Sequence, residues 1–216
     1  MPSKAVSSPS LILASSSPRR IELMKNLGLM FEILPSDLDE IVNTAVTPSE
    51  VVAELAESKA ARVRELVQER GGATAQDHHV ILAADTIVVF EGDILGKPTD
   101  RDHAIAMLTR LVGNTHEVYT GVHVISVNHS SKNGRAVIAH HEIEVAKVEF
   151  RKLSATEIAN YVDSKEPMDK AGSYALQGIG AFMINKIEGS PSNIIGLPLV
   201  RTIELLRKCG VQIMGE

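Results

Sequence analysis

Apolar residues fall along this chain in two rhythms, short unbroken runs and stripes that recur every three to four positions. Leu11-Ile12-Leu13-Ala14 is an unbroken run of the kind shown by a strand covered on both faces. It passes into Ser15-Ser16-Ser17, and Pro18 then opens a helix to Leu27 that Gly28 closes, proline suiting the first helical position and glycine the C′ position. A second strand is predicted over 31–34. Thr47-Pro48-Ser49-Glu50 is a capping box, so a helix is expected to about Arg70, stopping at Gly71-Gly72. Residues 80–90 predict a long strand, followed by Glu91-Gly92-Asp93 as a hairpin turn. Thr99 caps the next helix, with Ala104, Leu108 and Leu111 on one face and Gly113 at its end. Two long strands, 118–127 and 137–150, are joined by a polar turn over 128–135, and helices over 156–162 and 198–209 follow. The pattern predicts one mixed α/β domain over 11–216 with a mixed sheet, preceded by a flexible leader over 1–10.

Three charged residues break the rhythm. Lys59 stands in the middle of the stripe Val52, Leu55, Ala56, Val63, Leu66, Val67, where a lysine either snorkels to the helix edge or meets a buried anion. Arg20 lies in line with Met24 and Leu27 on the inner face of its helix. Asp85 interrupts the strand between Ala84 and Ile87, and an unpaired carboxylate there is expelled or protonated. A cation must therefore face it: a metal, Lys59, Arg20 or Lys97. A plain buried ion pair is the structural alternative.

The serine turn adds chemistry to this set. Backbone N–H groups, serine hydroxyls and the guanidinium groups of Arg19 and Arg20 converge at one helix N-terminus, an arrangement that binds anions and phosphate above all. Gly96-Lys97-Pro98 does not make a P-loop, because Gly92 and Gly96 are one residue too close and Pro98 stands where a hydroxyl should hold magnesium. It presents Lys97 on a stiff turn instead. The stretch from Glu166 to Gly178 mixes acid, base and carboxamide, and Gln177 could read a base edge, with Gly178 letting a flat ring approach. Asp37, Asp39 and Glu40 form an acidic loop, one member of which could help Asp85 hold a hard divalent ion. No Gly-x-Ser-x-Gly elbow is present, and the pairs His78-His79 and His140-His141 are expected at the surface.

Composition narrows the partners. A net charge of −5 with 3% aromatic residues argues against a nucleic-acid polymer, so an anionic ligand must be small and caught by a local basic cluster. One cysteine, Cys209, allows neither an internal disulfide nor a cysteine zinc site, and no run approaches the ~20 apolar residues of a membrane span. A soluble, cytoplasmic protein is expected.

The stretches Leu13-Ala14-Ser15-Ser16-Ser17-Pro18-Arg19-Arg20, Ala84-Asp85-Thr86, Gly96-Lys97-Pro98, Asp169-Lys170-Ala171-Gly172-Ser173-Tyr174 with Gln177-Gly178, and Gly196-Leu197-Pro198-Leu199 together resemble the Maf family of nucleoside triphosphate pyrophosphatases. The resemblance implies an elongated α/β fold around a cleft, similar to inosine-triphosphate pyrophosphatases, and a homodimer. It implies phosphate binding by Ser15, Arg20, Lys59, Lys97 and Lys170, a Mg²⁺ or Mn²⁺ ion at Asp85 and Glu40, and Asp85 as proton acceptor. The branch acting on dTTP and UTP has arginine, threonine and glutamine where this chain has Arg19, Thr86 and Gln177. The branch acting on 7-methyl-GTP has tryptophan in place of that arginine, and this chain has none. The expected products are a nucleoside monophosphate and pyrophosphate. A phosphatase, or a slow nucleotide-binding regulator linked to septum formation, is the rival reading of the same cleft.

Overall fold

The strand β3 (His78–Phe90) is the axis of the structure, and what borders its two edges decides where a site can form. The computed structural model describes residues 9–38, 45–70, 78–128 and 136–214. One edge of β3 is matched along nearly its whole length by the antiparallel β5 (Thr115–Asn128), from His78 opposite Asn128 to Val89 opposite Glu117. The other edge is shared. The parallel β1 (Ser10–Leu13) covers His79 to Leu82, and β4 (Asp93–Leu95) returns through the two-residue turn Glu91-Gly92 to cover Val88 to Phe90. Both turn residues have positive φ, 51° and 85°, which matches the right-handed twist of the flanking strands. Between Ala83 and Ile87 no described strand pairs with that edge, and the sheet splits there.

Outward from β3, β2 (Glu32–Ile33) lies parallel to β1, and β6 (Ala136–Phe150) and β7 (Ile184–Glu188) extend the antiparallel side beyond β5. Among the described residues the sheet has seven strands and is mixed, with helices on both faces, as the alternation of runs and stripes predicts. Strand residues two apart share a face, and the core divides accordingly. Leu11, Leu13, Val80 and Leu82 meet α1 (Pro18–Asn26) and α6 (Leu199–Lys208) through Met24, Leu205 and Leu206. Ile12, Ile81 and Ala83 on the opposite face meet α2 (Pro48–Glu69) through Ala60 and Val63. Farther along the first face, Val88, Phe90 and Val148 lie under α3 (Arg101–Leu111) and α4 (Ala155–Asp163). Gly121 lets α2 approach: a Cβ there would stand 2.4 Å from the Val52 carbonyl oxygen.

Several boundaries differ from expectation for local reasons. β1 begins at Ser10, inside the expected leader, because Ser10 pairs with His79. The cap of α3 is Asp100, whose carboxylate accepts the His103 N–H at 2.8 Å; Thr99 lies one residue outside. His79 is buried rather than superficial, since its strand is covered on both faces, and the half-buried His78 shares a hydrogen bond with Ser126 Oγ at 2.8 Å. β7, the short α5 (Pro191–Ile195) and three 3₁₀ turns (Glu166–Asp169, Ala171–Ser173, Ile179–Met183) were not predicted. The expected stops at Gly71-Gly72 and most of the turn over 128–135 lie outside the described residues. No helix among the described residues is long and apolar enough to cross a membrane.

Candidate active site

A cavity of about 430 Å³ opens where β1 and β4 part along the edge of β3. Neighbouring strand residues point to opposite faces, yet Asp85 and Thr86 both line this cavity because it opens at the split edge between the faces. Asp85, 4% exposed, turns toward α2 and its Oδ1 accepts a charge-assisted bond from Lys59 Nζ. This resolves two of the three misplaced charges: Lys59 sits on the buried stripe of its helix because a carboxylate waits beneath it. Lys59 does not reach solvent by snorkelling; it is only 8% exposed.

On the opposite face the third charge is fixed by a directional chain of hydrogen bonds. Arg20 donates from Nε to the Gly196 carbonyl at 2.7 Å and from its two terminal nitrogens to Thr86 Oγ1 at 3.1 Å and Ser15 Oγ at 3.4 Å. Thr120 Oγ1 donates to the Asn193 carbonyl at 3.1 Å, so in the 2.9 Å contact between the two threonines the proton belongs to Thr86. Asn193, fully buried, donates in turn to the Val118 carbonyl at 2.9 Å. The N-terminus of α1 borders the same cavity with Ser16, Ser17, Pro18 and Arg19, and no side chain caps it. Its first-turn N–H groups and positive dipole end therefore favour an anion in the cavity.

The remaining wall comes from two loops tied together. The Gly172 N–H donates to the Gly96 carbonyl at 3.1 Å, which holds the segment bearing Lys97 against the one bearing Lys170. Gly172 has φ +66°, and a Cβ there would meet Val88 at 2.9 Å, so only glycine allows this junction. Lys170 Nζ is steadied by the Glu166 carbonyl and by Asp169 Oδ1, each at 2.5 Å. Burial would raise the Asp169 carboxyl, but Lys170 and Arg19 hold it below its usual range. Behind the wall, the Tyr174 hydroxyl meets His116 Nε2 at 2.8 Å. Burial pushes His116 down to about 4 and the Tyr174 phenol well up, so both are neutral.

Ser15, Arg19, Arg20, Lys59, Asp85, Thr86, Lys97, Lys170 and Gln177 all line this one cavity, although they come from widely separated parts of the chain. Glu40 and Asp39 lie outside the described residues. Asp37 and Asp169 add acidic lining, leaving five basic groups against three acidic ones among the described lining residues. Gly178 differs from expectation. A Cβ on it would stand 2.4 Å from Glu166 Oε2, so the space beside Gln177 is taken by a carboxylate and not left to a ring. Thr120 and Asn193 escaped the sequence reading, and Glu166 was seen only as one end of a mixed polar stretch, because the backbone partners of all three show in no residue pattern.

The family model described as "Maf-like protein" matches residues 10–209. The chain belongs to the Maf family. Among its relatives, a dTTP/UTP pyrophosphatase of Caldicellulosiruptor bescii is 43% identical over 207 residues, covering 95% of this chain and 98% of its own length. A dTTP/UTP pyrophosphatase of Desulforamulus reducens is 43% identical over 204 residues, covering 94% and 98%. A solved HAM1 protein from Coxiella burnetii, 16% identical, aligns over 93% of this chain and 99% of its own with a TM-score of 0.38.

The cavity's donors suit a divalent ion carried by phosphates. Among the described residues no group of three or more histidine, cysteine or acidic side chains forms a ready cage. Mg²⁺ commonly keeps its waters and takes one or two carboxylates plus substrate phosphate oxygens, and Asp85 offers one such carboxylate. A buried carboxylate among cations is of little use to a site that only holds phosphates.

Proposed function

We propose that this protein hydrolyses dTTP and UTP, and modified pyrimidine triphosphates of the same shape, to the nucleoside monophosphate and pyrophosphate, clearing them from the nucleotide pool. The observation that carries this reading is the gathering of Asp85, Lys59, Arg20, Lys97 and Lys170 around one cavity. Its size suits a small ligand. Relatives named for this activity match almost the whole chain, which supports the same substrates here.

In this mechanism Lys97, Lys170, Arg20, Ser15 and the N-terminus of α1 bind the triphosphate, while Arg19, Thr86 and Gln177 select the nucleoside. Lys59 holds the Asp85 carboxylate in place. Asp85 takes a proton from water as its oxygen attacks the α-phosphorus, and the bond to the bridging oxygen breaks. Pyrophosphate leaves with its negative charge met by the lysines and Arg20, so positioning and charge neutralisation supply most of the rate. Asp85, with Glu40, would hold a Mg²⁺ or Mn²⁺ ion, whose chemistry is to neutralise phosphate charge and orient the chain of phosphates.

Incubation with dTTP and Mg²⁺ followed by ion-exchange chromatography tests the reading. TMP with pyrophosphate is expected; TDP with orthophosphate would mean a phosphatase, and unchanged dTTP a mere binder. Asp85→Asn is expected to abolish turnover while the protein stays folded, at reduced stability because Lys59 loses its carboxylate, and retained activity in the folded variant removes Asp85 from the proton-acceptor role. EDTA is expected to stop turnover and added Mg²⁺ to restore it. A cytoplasmic homodimer, engaging neither membrane nor nucleic-acid polymer, completes the proposal, and sedimentation equilibrium tests the dimer.

A further inference from the structure

Glu166 does not line the cavity, yet three donors, one on the helix before it and two on the turn after Gly178, converge on its carboxylate. Oε1 accepts the Gly180 N–H at 2.8 Å and the Tyr161 hydroxyl at 3.0 Å, and Oε2 accepts the Ile179 N–H at 2.9 Å. Those two amides follow directly after Gln177 and Gly178. Tyr161, 2% exposed on α4, anchors the carboxylate to the rigid part of the fold. An anion collecting consecutive backbone N–H groups fixes the path of the chain that supplies them.

The wrapping leaves no slack. Gly178 has φ +92°, and a Cβ there would stand 2.4 Å from Glu166 Oε2. A Cβ on Gly180 would stand 2.6 Å from the Ala175 carbonyl oxygen and 2.7 Å from the Tyr161 hydroxyl. Both positions must be glycine for residues 177–180 to close on the carboxylate. Burial would raise the Glu166 carboxyl, but the Gly180 and Ile179 amides hold it below its usual range, so it stays ionised at neutral pH. Its own carbonyl meanwhile accepts from Lys170. One residue thus ties the phosphate side of the cavity to the base side.

We infer that Glu166 is a positioning residue for nucleobase selection, its carboxylate clasping the turn after Gln177 so that the carboxamide meets the pyrimidine edge at fixed reach. The inference rests on the pyrimidine triphosphate reading of Gln177. A carboxamide pairs usefully with a base edge only when its backbone is held, and a misplacement of the order of 1 Å is enough to lose the contact. Thymine and uracil present a carbonyl and a ring N–H where cytosine presents an amino group and a bare nitrogen. Discrimination between them therefore depends on how the amide is held.

Glu166→Gln tests this, because a carboxamide has one acceptor oxygen and its NH₂ must face one of the two amides. Steady-state kinetics on dTTP and dCTP should show KM for dTTP raised about tenfold or more and the dTTP-over-dCTP ratio of kcat/KM lowered about tenfold, with kcat held within about threefold. Inhibition by tripolyphosphate, which has no base, should be unchanged. Gly178→Ala, pressing on the same carboxylate from the other side, should give the same signature. Tyr161→Phe, which leaves the backbone clasp, should give a smaller one and serves if the first two variants do not fold. Wild-type KM and selectivity in the variants, or equal loss of tripolyphosphate inhibition, overturns the inference while leaving the functional reading intact. A wild-type protein inert toward dTTP overturns both.

Discussion

A buried charge is expensive to leave alone, and the residues of this cavity are intelligible on that basis. Lys59 and Asp85 are each below 10% exposed and neutralise each other. Removing one partner strands the other, which typically destabilises by about 3–5 kcal/mol. Lys59→Met is therefore expected to lower unfolding free energy by that order in urea titration, and Asp85→Asn in the same background to recover part of it. If the double variant is no more stable than the single one, the pair is not coupled as described. His116 carries a second residue-scale prediction. Its ordinary value is 6.5 and burial lowers it to about 4, so the unfolded chain binds a proton that the folded one excludes between those values. Stability is full above about pH 6.5 and falls toward pH 4, by as much as about 3 kcal/mol from this group. His116→Gln should narrow its stability gap to the wild type by a comparable amount on going from pH 7.5 to pH 4.5; a constant gap would assign acid sensitivity elsewhere.

Elements were legible in the sequence where their own side chains define them. The stripe of α2, the unbroken run of β3 and the proline-opened α1 needed no tertiary information, and the charges that violated those patterns pointed straight to the cavity. What stayed hidden is defined by partners. β7 is a strand because Ile184 to Glu188 pair with the end of β6, and α5 is five residues long, too short for a period to show. Yet α5 carries Asn193 and ends at Gly196, the two backbone acceptors behind Thr120 and Arg20. The depth at which α2 lies on the sheet was equally hidden, being set by the absent side chain of Gly121. Gly121→Ala places a carbon against the Val52 carbonyl that backbone cannot easily yield, so α2 must shift. Overpacking of this kind destabilises by about 1–3 kcal/mol. Because Lys59 rides on α2, activity should fall further than the loss of folded protein explains. A variant within about 0.5 kcal/mol of wild type in urea would show that helix and sheet are not in such close contact.

At the scale of the molecule, the cavity is the place where two halves of one sheet cease to be continuous. α1 and the end of β1 border it from one half, and the loops after β4 and around Lys170 border it from the other, joined mainly by β3 and β5 behind. Lys59 and Lys170 are met by Asp85 and Asp169, yet five basic groups line the gap against three acidic ones, and that positive excess favours an anion. A triphosphate bound there would touch both halves at once and meet that positive excess only in the folded state. Binding that excludes the unfolded chain stabilises by about 2.7 kcal/mol at a ligand concentration one hundred times Kd. In a domain of this length each kcal/mol moves the midpoint by roughly 2–4 °C, so a rise of about 5–10 °C is expected. An α,β-imido analogue of dTTP with Mg²⁺, which cannot be cleaved at the attacked bond, measures this free of turnover. The analogue should raise Tm by that amount in wild type and by far less, at the same concentration, when Lys97 and Lys170 are both changed to alanine. Equal shifts in the two proteins would place the phosphates away from those lysines, and no shift in either would mean that the folded protein does not bind the analogue at that concentration.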